Sequence, residues 1–288
     1  PERIGKAAAL NNGIAAATSE ILLFVDLRPH IPAGSIAHLV SNFADPRVGC
    51  VAGELVLSLD GQDSGAAAVG GMYWRYEQWI RDCEARFDSP LGVYGGYYAV
   101  RRSLAVRFPD GTILDDMYQP LAIVRQGYRS VLDRDAKVHD AWPKTANDEF
   151  RRKVRTLAGN YQLMQLAPWL LGPRNRLALQ LWSHKWLRLL VPFCLPVVLI
   201  ASVVLARTSW VFAVLSALQI IFYLAAWVGP RVPNLIVRKV SGVAQAFCML
   251  NYAAAVALHR FLFTRGPLWQ IWGAPQVTTA ARAAGSGQ

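Results

Sequence analysis

The sequence has no acidic residue after Glu149. All 19 acids lie in residues 1–149 beside 15 Lys+Arg, whereas residues 150–288 hold another 15 Lys+Arg and no acid. A mildly acidic first half is thus joined to a purely basic second half under a net charge of +11. Charge is scarce throughout, at 17% against 53% hydrophobic residues. A chain this apolar can bury enough surface to offset the entropy of ordering, which excludes intrinsic disorder. Only four cysteines occur, Cys50, Cys83, Cys194 and Cys248, and none is spaced C-x-x-C, which excludes the zinc and redox motifs of that pattern. Cys194 and Cys248 sit inside apolar runs and read as small buried hydrophobes of a reducing compartment. The Gly5-Lys6 pair lacks the earlier glycine of a P-loop and has Ala7 where Ser or Thr belongs, so that motif is excluded, although Lys6 stays a candidate phosphate contact. His139, His184 and His259 show no metal-ligand spacing. No internal repeat is present. The chain opens at Pro1 within a Gly-Lys turn and a helix, and the expectation is that the natural start lies upstream.

What the sequence does have is long apolar runs. Residues 189–206, 210–228 and 243–263 each approach the roughly 20 residues that cross a hydrocarbon core as a helix. The first two contain no charge; the third carries His259 and Arg260 near its end. Pro192 and Pro196 fall in the first run, where membrane helices tolerate proline. Basic residues in short loops set orientation. Arg231, Arg238 and Lys239 follow the second run, and Arg and Lys crowd the stretch before the first. Residues 1–188 and 229–242 are therefore expected on the cytoplasmic side of a multi-pass protein, with the cell inner membrane as the site; the side of the C-terminus stays open. Residues 147–188 combine eight Lys+Arg with Trp169, Trp182 and Trp186. That composition suits basic interfacial helices lying among lipid headgroups, and with the apolar runs directly downstream it argues for lipid and against nucleic acid. The Ala/Gly/Ser-rich tail, 266–288, reads as partly disordered.

Residues 1–146 alternate helix and strand, the pattern of an α/β layer fold. Helices are predicted over 6–17, 33–43, 67–87 and 115–126, and strands over 20–26, 48–57, 97–102 and 129–138. The run EILLFVD reads as a strand buried on both faces of a mostly parallel sheet. Ligands in such sheets bind outside the carboxyl ends of the strands. Asp26, which ends that strand, can therefore bind a divalent cation or a ribose hydroxyl, or serve as an ordinary loop aspartate. Asp115 and Asp116 open a helix, either as charge complements to its N-terminus or as a general base made harder to ionise by its neighbour. The turn before the third strand, with Gly95 and Gly96, permits close backbone approach to a ligand, and Arg101-Arg102 can face phosphate or stay solvated.

Taken in order, GKAAALNNGIAAATSEILLFVDLRP (5–29), GVYGGYYAVRRSL (92–104), ILDDMYQPLAIVRQGYRSVLD (113–133), EFRRKVRTLAGNYQLM (149–164) and SHKWLRLL (183–190) resemble the processive, membrane-embedded family-2 glycosyltransferases, which include cellulose, hyaluronan, chitin-oligosaccharide and poly-N-acetylglucosamine synthases. The resemblance implies the C-terminal part of a GT-A, Rossmann-like nucleotide-sugar transferase domain (residues 1–146). It is followed by interfacial helices (147–188) and about three transmembrane helices (within 189–265), with an upstream nucleotide-binding half cut away. It implies inverting transfer from a nucleotide sugar, UDP-linked in this group, to a glycan or lipid-linked acceptor at the bilayer, with no role for nucleic acid. Asp26 resembles the first aspartate of the family's D-x-D, beside the diphosphate and its Mg or Mn ion; Arg28 stands at the second. Asp115-Asp116 resembles the E-D pair, making Asp116 the base. Gly95, Gly96, Arg101 and Arg102 fall on the acceptor-side motif, and Gln180, His184, Lys185 and Trp186 on the region of Q-x-x-R-W. The competing reading is an inactive, membrane-anchored scaffold that keeps the fold, which Arg28 and the imperfect Q-x-x-R-W favour and the paired aspartates oppose.

Overall fold

The computed structural model describes residues 5–58, 65–141, 146–232 and 234–264; the tail at 266–288 lies outside them. Helix α1 (Lys6–Ala16) leads into strand β1 (Ile21–Val25), and α2 (Ser35–Ser41) into β2 (Val48–Ser58). The long α3 (Gly65–Phe87) precedes β3 (Tyr97–Arg101), and α4 (Asp115–Arg125) precedes β4 (Arg129–Ala141). The basic region is α5 (Ala146–Leu166) and the short α6 (Ala178–Gln180), which continues through a π-helical stretch, Leu181–Trp186, into α7 (Leu187–Leu205). Helices α8 (Trp210–Val228) and α9 (Leu235–Phe263) follow.

The four strands form one mixed sheet in the order β1-β3-β2-β4. β3 runs antiparallel to both neighbours, and only β2 and β4 are parallel. The expectation of a mostly parallel sheet with β1 buried on both faces is corrected here: Leu22 and Phe24 are buried, but Leu23 and Val25 are 38% and 42% exposed. An apolar run cannot distinguish a two-sided strand from a one-sided one at the sheet edge. Side chains alternate across the sheet as its pleat requires. Tyr98 and Val100 of β3 join Leu22, Phe24 and Ile123 on one face, while Tyr97 and Ala99 join Leu39, Val51 and Val138 on the other. Phe24 stacks on Tyr98, centroids 4.6 Å apart and 7° from parallel.

Two local features fix α4. Gly127, at φ 95°, takes the left-handed conformation that ends the helix and turns the chain into β4. Pro120 sits inside the helix and has no N–H for the carbonyl of Asp116. That carbonyl accepts the Val93 N–H instead, at 2.9 Å, so the glycine-rich turn is latched to the first turn of α4.

Three helical stretches are long and apolar enough to cross a membrane: Ala178–Leu205, Trp210–Val228 and Ser241–Phe263. Only 6% of the second is buried, so most of its apolar surface is exposed. The third differs along its length. Near its start α9 packs on α8, with Phe222 edge-on to Phe247 at 5.5 Å. Farther on it runs beside α5, with Phe150 against Tyr252 and Tyr161 against Phe261 at 5.7 and 5.8 Å. Ala253, Ala254 and Ala257 are buried there, and their small side chains allow the close approach.

Helix α5 is in turn packed on the start of α4. A Cβ at Gly159 would lie 2.6 Å from Leu114 Cγ and 3.1 Å from Ile113 Cγ2. Gly159→Val should therefore force α5 away from α4 and cost about 1–3 kcal/mol, the range for overpacking a filled interior. A lowered thermal unfolding midpoint in detergent would register it, and an unchanged midpoint would show that α5 is not seated there.

Candidate active site

The carboxyl end of β1, the glycine turn and the first turn of α4 meet in one place. Asp26 N–H donates to Gly96 O at 3.1 Å, which joins the end of β1 to the turn. At Gly95 an added Cβ would lie 2.9 Å from Asp116 Cβ and 3.3 Å from its Oδ2, so the missing side chain makes room for the carboxylate. At Gly96 it would lie 2.8 Å from the Tyr94 ring. Lys6, in the first turn of α1, places its ammonium 2.9 Å from Asp115 Oδ2 and 3.7 Å from Asp26 Oδ1. Asp26, Asp115, Asp116, Lys6, Gly95 and Gly96 thus lie together in one corner.

The two adjacent aspartates have different surroundings. Asp115 is 5% exposed and faces the Lys6 ammonium. Burial raises its pKa, and Lys6 only partly reverses that. Asp116 lines a cleft of about 570 Å³ that extends from the aspartate to α3, α5, α7 and α9. Burial, and then the charge of Asp115, push its carboxyl up to about 6. The helix N-terminus favours the charged form, but desolvation and the like charge outweigh it. For Lys6, burial opposes the charged form, yet Asp115, Asp26 and Asp116 together raise its pKa. The ammonium therefore stays protonated at neutral pH.

Arg28 is committed elsewhere. Its guanidinium donates to Asp140 Oδ2 at 2.8 Å, and the Tyr94 hydroxyl donates to the same oxygen at 2.8 Å. Among the described residues no group of three or more His, Cys, Asp or Glu side chains could hold a metal ion. Asp26 is a part-exposed carboxylate at the carboxyl end of β1, with the Lys6 ammonium 3.7 Å from its Oδ1. Magnesium-like ions bound through one carboxylate and substrate phosphates need no more than this.

Other expected site residues are placed differently. Arg101 pairs in register with Ile21, while Tyr97 pairs with Val25 beside Asp26. Arg101 is therefore at the opposite end of β3, roughly 13 Å away at the rise of a strand. It donates to the carbonyls of Val48, Phe43 and Asp45, and Arg102 to that of Ser19. Both arginines close loops there, which corrects their assignment to the acceptor side. Trp186 is 3% exposed and meets Trp182 edge-on at 5.0 Å, so its ring is core and not free to stack on a sugar. The Gln180 amide has no hydrogen-bond partner among the described residues and does not line the cleft. His184 and Lys185 do line it. The π-helical stretch aims them at α3, where His184 Nδ1 lies 2.6 Å from Glu84 Oε1 and Nε2 lies 3.3 Å from Glu77 Oε2. Arg188 donates to Glu77 Oε1 at 2.7 Å. Sequence reasoning missed Glu77 and Glu84; their only signal was two acids seven residues apart, hence on one face of α3. It also missed Tyr98, whose buried hydroxyl has no hydrogen-bond partner among the described residues. Burial, with the nearby acids adding to it, raises that hydroxyl's pKa well above the usual value and keeps it neutral.

Residues 22–229 match the family model described as glycosyl transferase family group 2, and the chain belongs to that family. Its α/β fold is the GT-A-like one of nucleotide-sugar transferases. A curated relative, the N-acetylglucosaminyltransferase of Rhizobium meliloti (strain 1021), is 25% identical over 166 residues, or 54% of this chain. The match spans 39% of that relative's length. Among solved structures, the mannosyltransferase PcManGT from Pyrobaculum calidifontis, in complex with GDP-Man and Mn2+, has the same fold at a TM-score of 0.63 and 23% identity. The alignment covers 92% of this chain and 68% of that one.

The Asp116 carboxyl should titrate with a midpoint near 6 in a carboxyl-resolved NMR experiment. Lys6→Met removes a charge that lowers this pKa, so the midpoint should rise. A midpoint near the ordinary aspartate value, about 3.9, would contradict the buried, paired setting.

Proposed function

We propose that the protein transfers a sugar from a nucleotide donor, UDP-linked, to a glycan or lipid-linked acceptor, with inversion, on the cytoplasmic face of the cell inner membrane. The observation that carries this reading is the placement of Asp116. Its carboxylate opens on a large cleft beside Asp115, which is joined through Lys6 to Asp26. The family membership and the names of the relatives support glycosyl transfer; the basic residues flanking α7 and α8 support the orientation.

In this reading Asp116 accepts the proton of an acceptor hydroxyl as its oxygen attacks the anomeric carbon. The bond from that carbon to the diphosphate breaks, and the electron pair leaves with the diphosphate. One displacement on one face inverts the configuration. Negative charge grows on the leaving group, where a positioned cation stabilises the transition state. Lys6, protonated and held between Asp26 and Asp115, is that cation on this chain. A magnesium or manganese ion bound by Asp26 and the diphosphate would supply further Lewis-acid neutralisation. Arg28, tied to Asp140, holds the loop after β1 in place. It stands where a second aspartate would bind metal, and together with the imperfect Q-x-x-R-W region, where Trp186 is core and Gln180 does not line the cleft, it favours an inactive scaffold. Donor turnover by the full-length protein excludes that alternative.

Asp116→Asn should lower transfer by roughly 10²–10⁴-fold, the usual contribution of a general base, with donor affinity nearly unchanged. Since the base works ionised and its pKa is about 6, wild-type turnover should fall as pH drops through 6 and level off above it. Turnover retained by Asp116→Asn, or a rate that is flat down to pH 5, would remove Asp116 from this role.

A further inference from the structure

The cleft beyond Asp116 is much larger than a proton transfer requires, and its walls differ in chemistry. Its volume of about 570 Å³ is that of a site for a substantial ligand. Its lining includes four cations, Arg81, Lys153, Lys185 and Arg188, and two glutamates, Glu77 and Glu84. Arg188 and Lys185 lie 2.7 and 3.8 Å from Glu77, and His184 lies between the two glutamates. Helix α9 contributes Val243, Ala246, Phe247 and Leu250 to the lining, and α7 contributes Val191. Asp116 lines the same cleft.

Helix α9 has two kinds of neighbour. Near Phe247 it packs on α8, a helix whose apolar surface is mostly exposed. By Tyr252 and Phe261 it lies alongside α5. That helix carries Asp148, Glu149, Arg151, Arg152, Lys153 and Arg155, a charge load that excludes it from hydrocarbon. A ligand in the cleft therefore meets the apolar side chains of α9 together with cations, which is the pairing of hydrocarbon and phosphate that an anionic lipid offers.

Resting on the glycosyltransferase reading above, we infer that the cleft takes an anionic lipid of the surrounding bilayer as acceptor, its hydrocarbon lying along α9, its phosphate on Arg81, Lys153, Lys185 and Arg188, and a headgroup hydroxyl facing Asp116. The hydroxyl oxygen forms the new bond to the anomeric carbon and its proton passes to Asp116. The bond to the nucleoside diphosphate breaks, and the diphosphate departs with the electron pair. A soluble glycan would leave the apolar wall uncovered, and free phosphate would leave both the wall and Asp116 unused.

Native mass spectrometry of the full-length protein in nanodiscs, using phosphatidylglycerol as the probe, tests the site apart from turnover. Phosphatidylglycerol should remain bound at least tenfold more than phosphatidylcholine, and glycerol 1-phosphate should not compete. Ala246→Trp, which fills the apolar side, and Arg81→Gln, which removes one cation, should each reduce retention at least fivefold with the unfolding midpoint preserved. Equal retention of the two lipids, displacement by glycerol 1-phosphate, or no effect of either substitution overturns the proposal. With labelled donor, the label should enter the butanol-soluble lipid fraction. Label found only in a water-soluble glycan overturns the lipid acceptor and leaves glycosyl transfer intact. Selective lipid retention without donor turnover under any condition sustains the lipid site and counts against the glycosyltransferase reading.

Discussion

An ammonium group held between two carboxylates organises this site. Asp115 is buried at the start of α4, and an uncompensated charge in such a place would be strongly destabilising. Lys6 supplies the compensation from another helix and reaches Asp26 at the end of β1 as well. One side chain thus ties α1, β1 and α4 into a single corner. Asp116, the next residue, has no ion pair as close as this among the described residues; it lines the cleft and takes the like charge of its neighbour. A carboxyl pushed up to about 6 follows from that asymmetry. Sequence adjacency alone does not say which of two aspartates becomes the paired one.

Backbone details support the same corner. Pro120 frees the Asp116 carbonyl for Val93, and Gly95 leaves space for the Asp116 side chain. Arg28, Asp140 and Tyr94 form a second, separate polar group at the same end of the sheet. Their mutual satisfaction explains why an arginine can stand in this loop without disturbing Asp26.

Much of the corner was legible in the sequence because its parts are local. An apolar run ending in an aspartate, a glycine-rich turn and a pair of acids opening a helix each announce themselves within ten residues. Strand pairing is not local. The antiparallel course of β3 puts Tyr97, not Arg101, beside Asp26, and no motif spacing carries that register. The same limit applied to Glu77 and Glu84, whose partners lie about a hundred residues away in a π-helical stretch. Trp186 shows the complementary difficulty: a tryptophan among arginines suits an interface or a core equally well, and only packing decides. The apolar runs were legible by length, whereas the contact of α9 with α5 depends on small alanines whose role emerges only when the two helices meet.

The most direct test of the account is a structure of the full-length protein with an unhydrolysable nucleotide-sugar bound. The account predicts the diphosphate beside Asp26 and the Lys6 ammonium, with the anomeric carbon between that group and the Asp116 carboxylate. A donor bound away from Asp26, or Asp116 turned out of the cleft that holds the sugar, would contradict it.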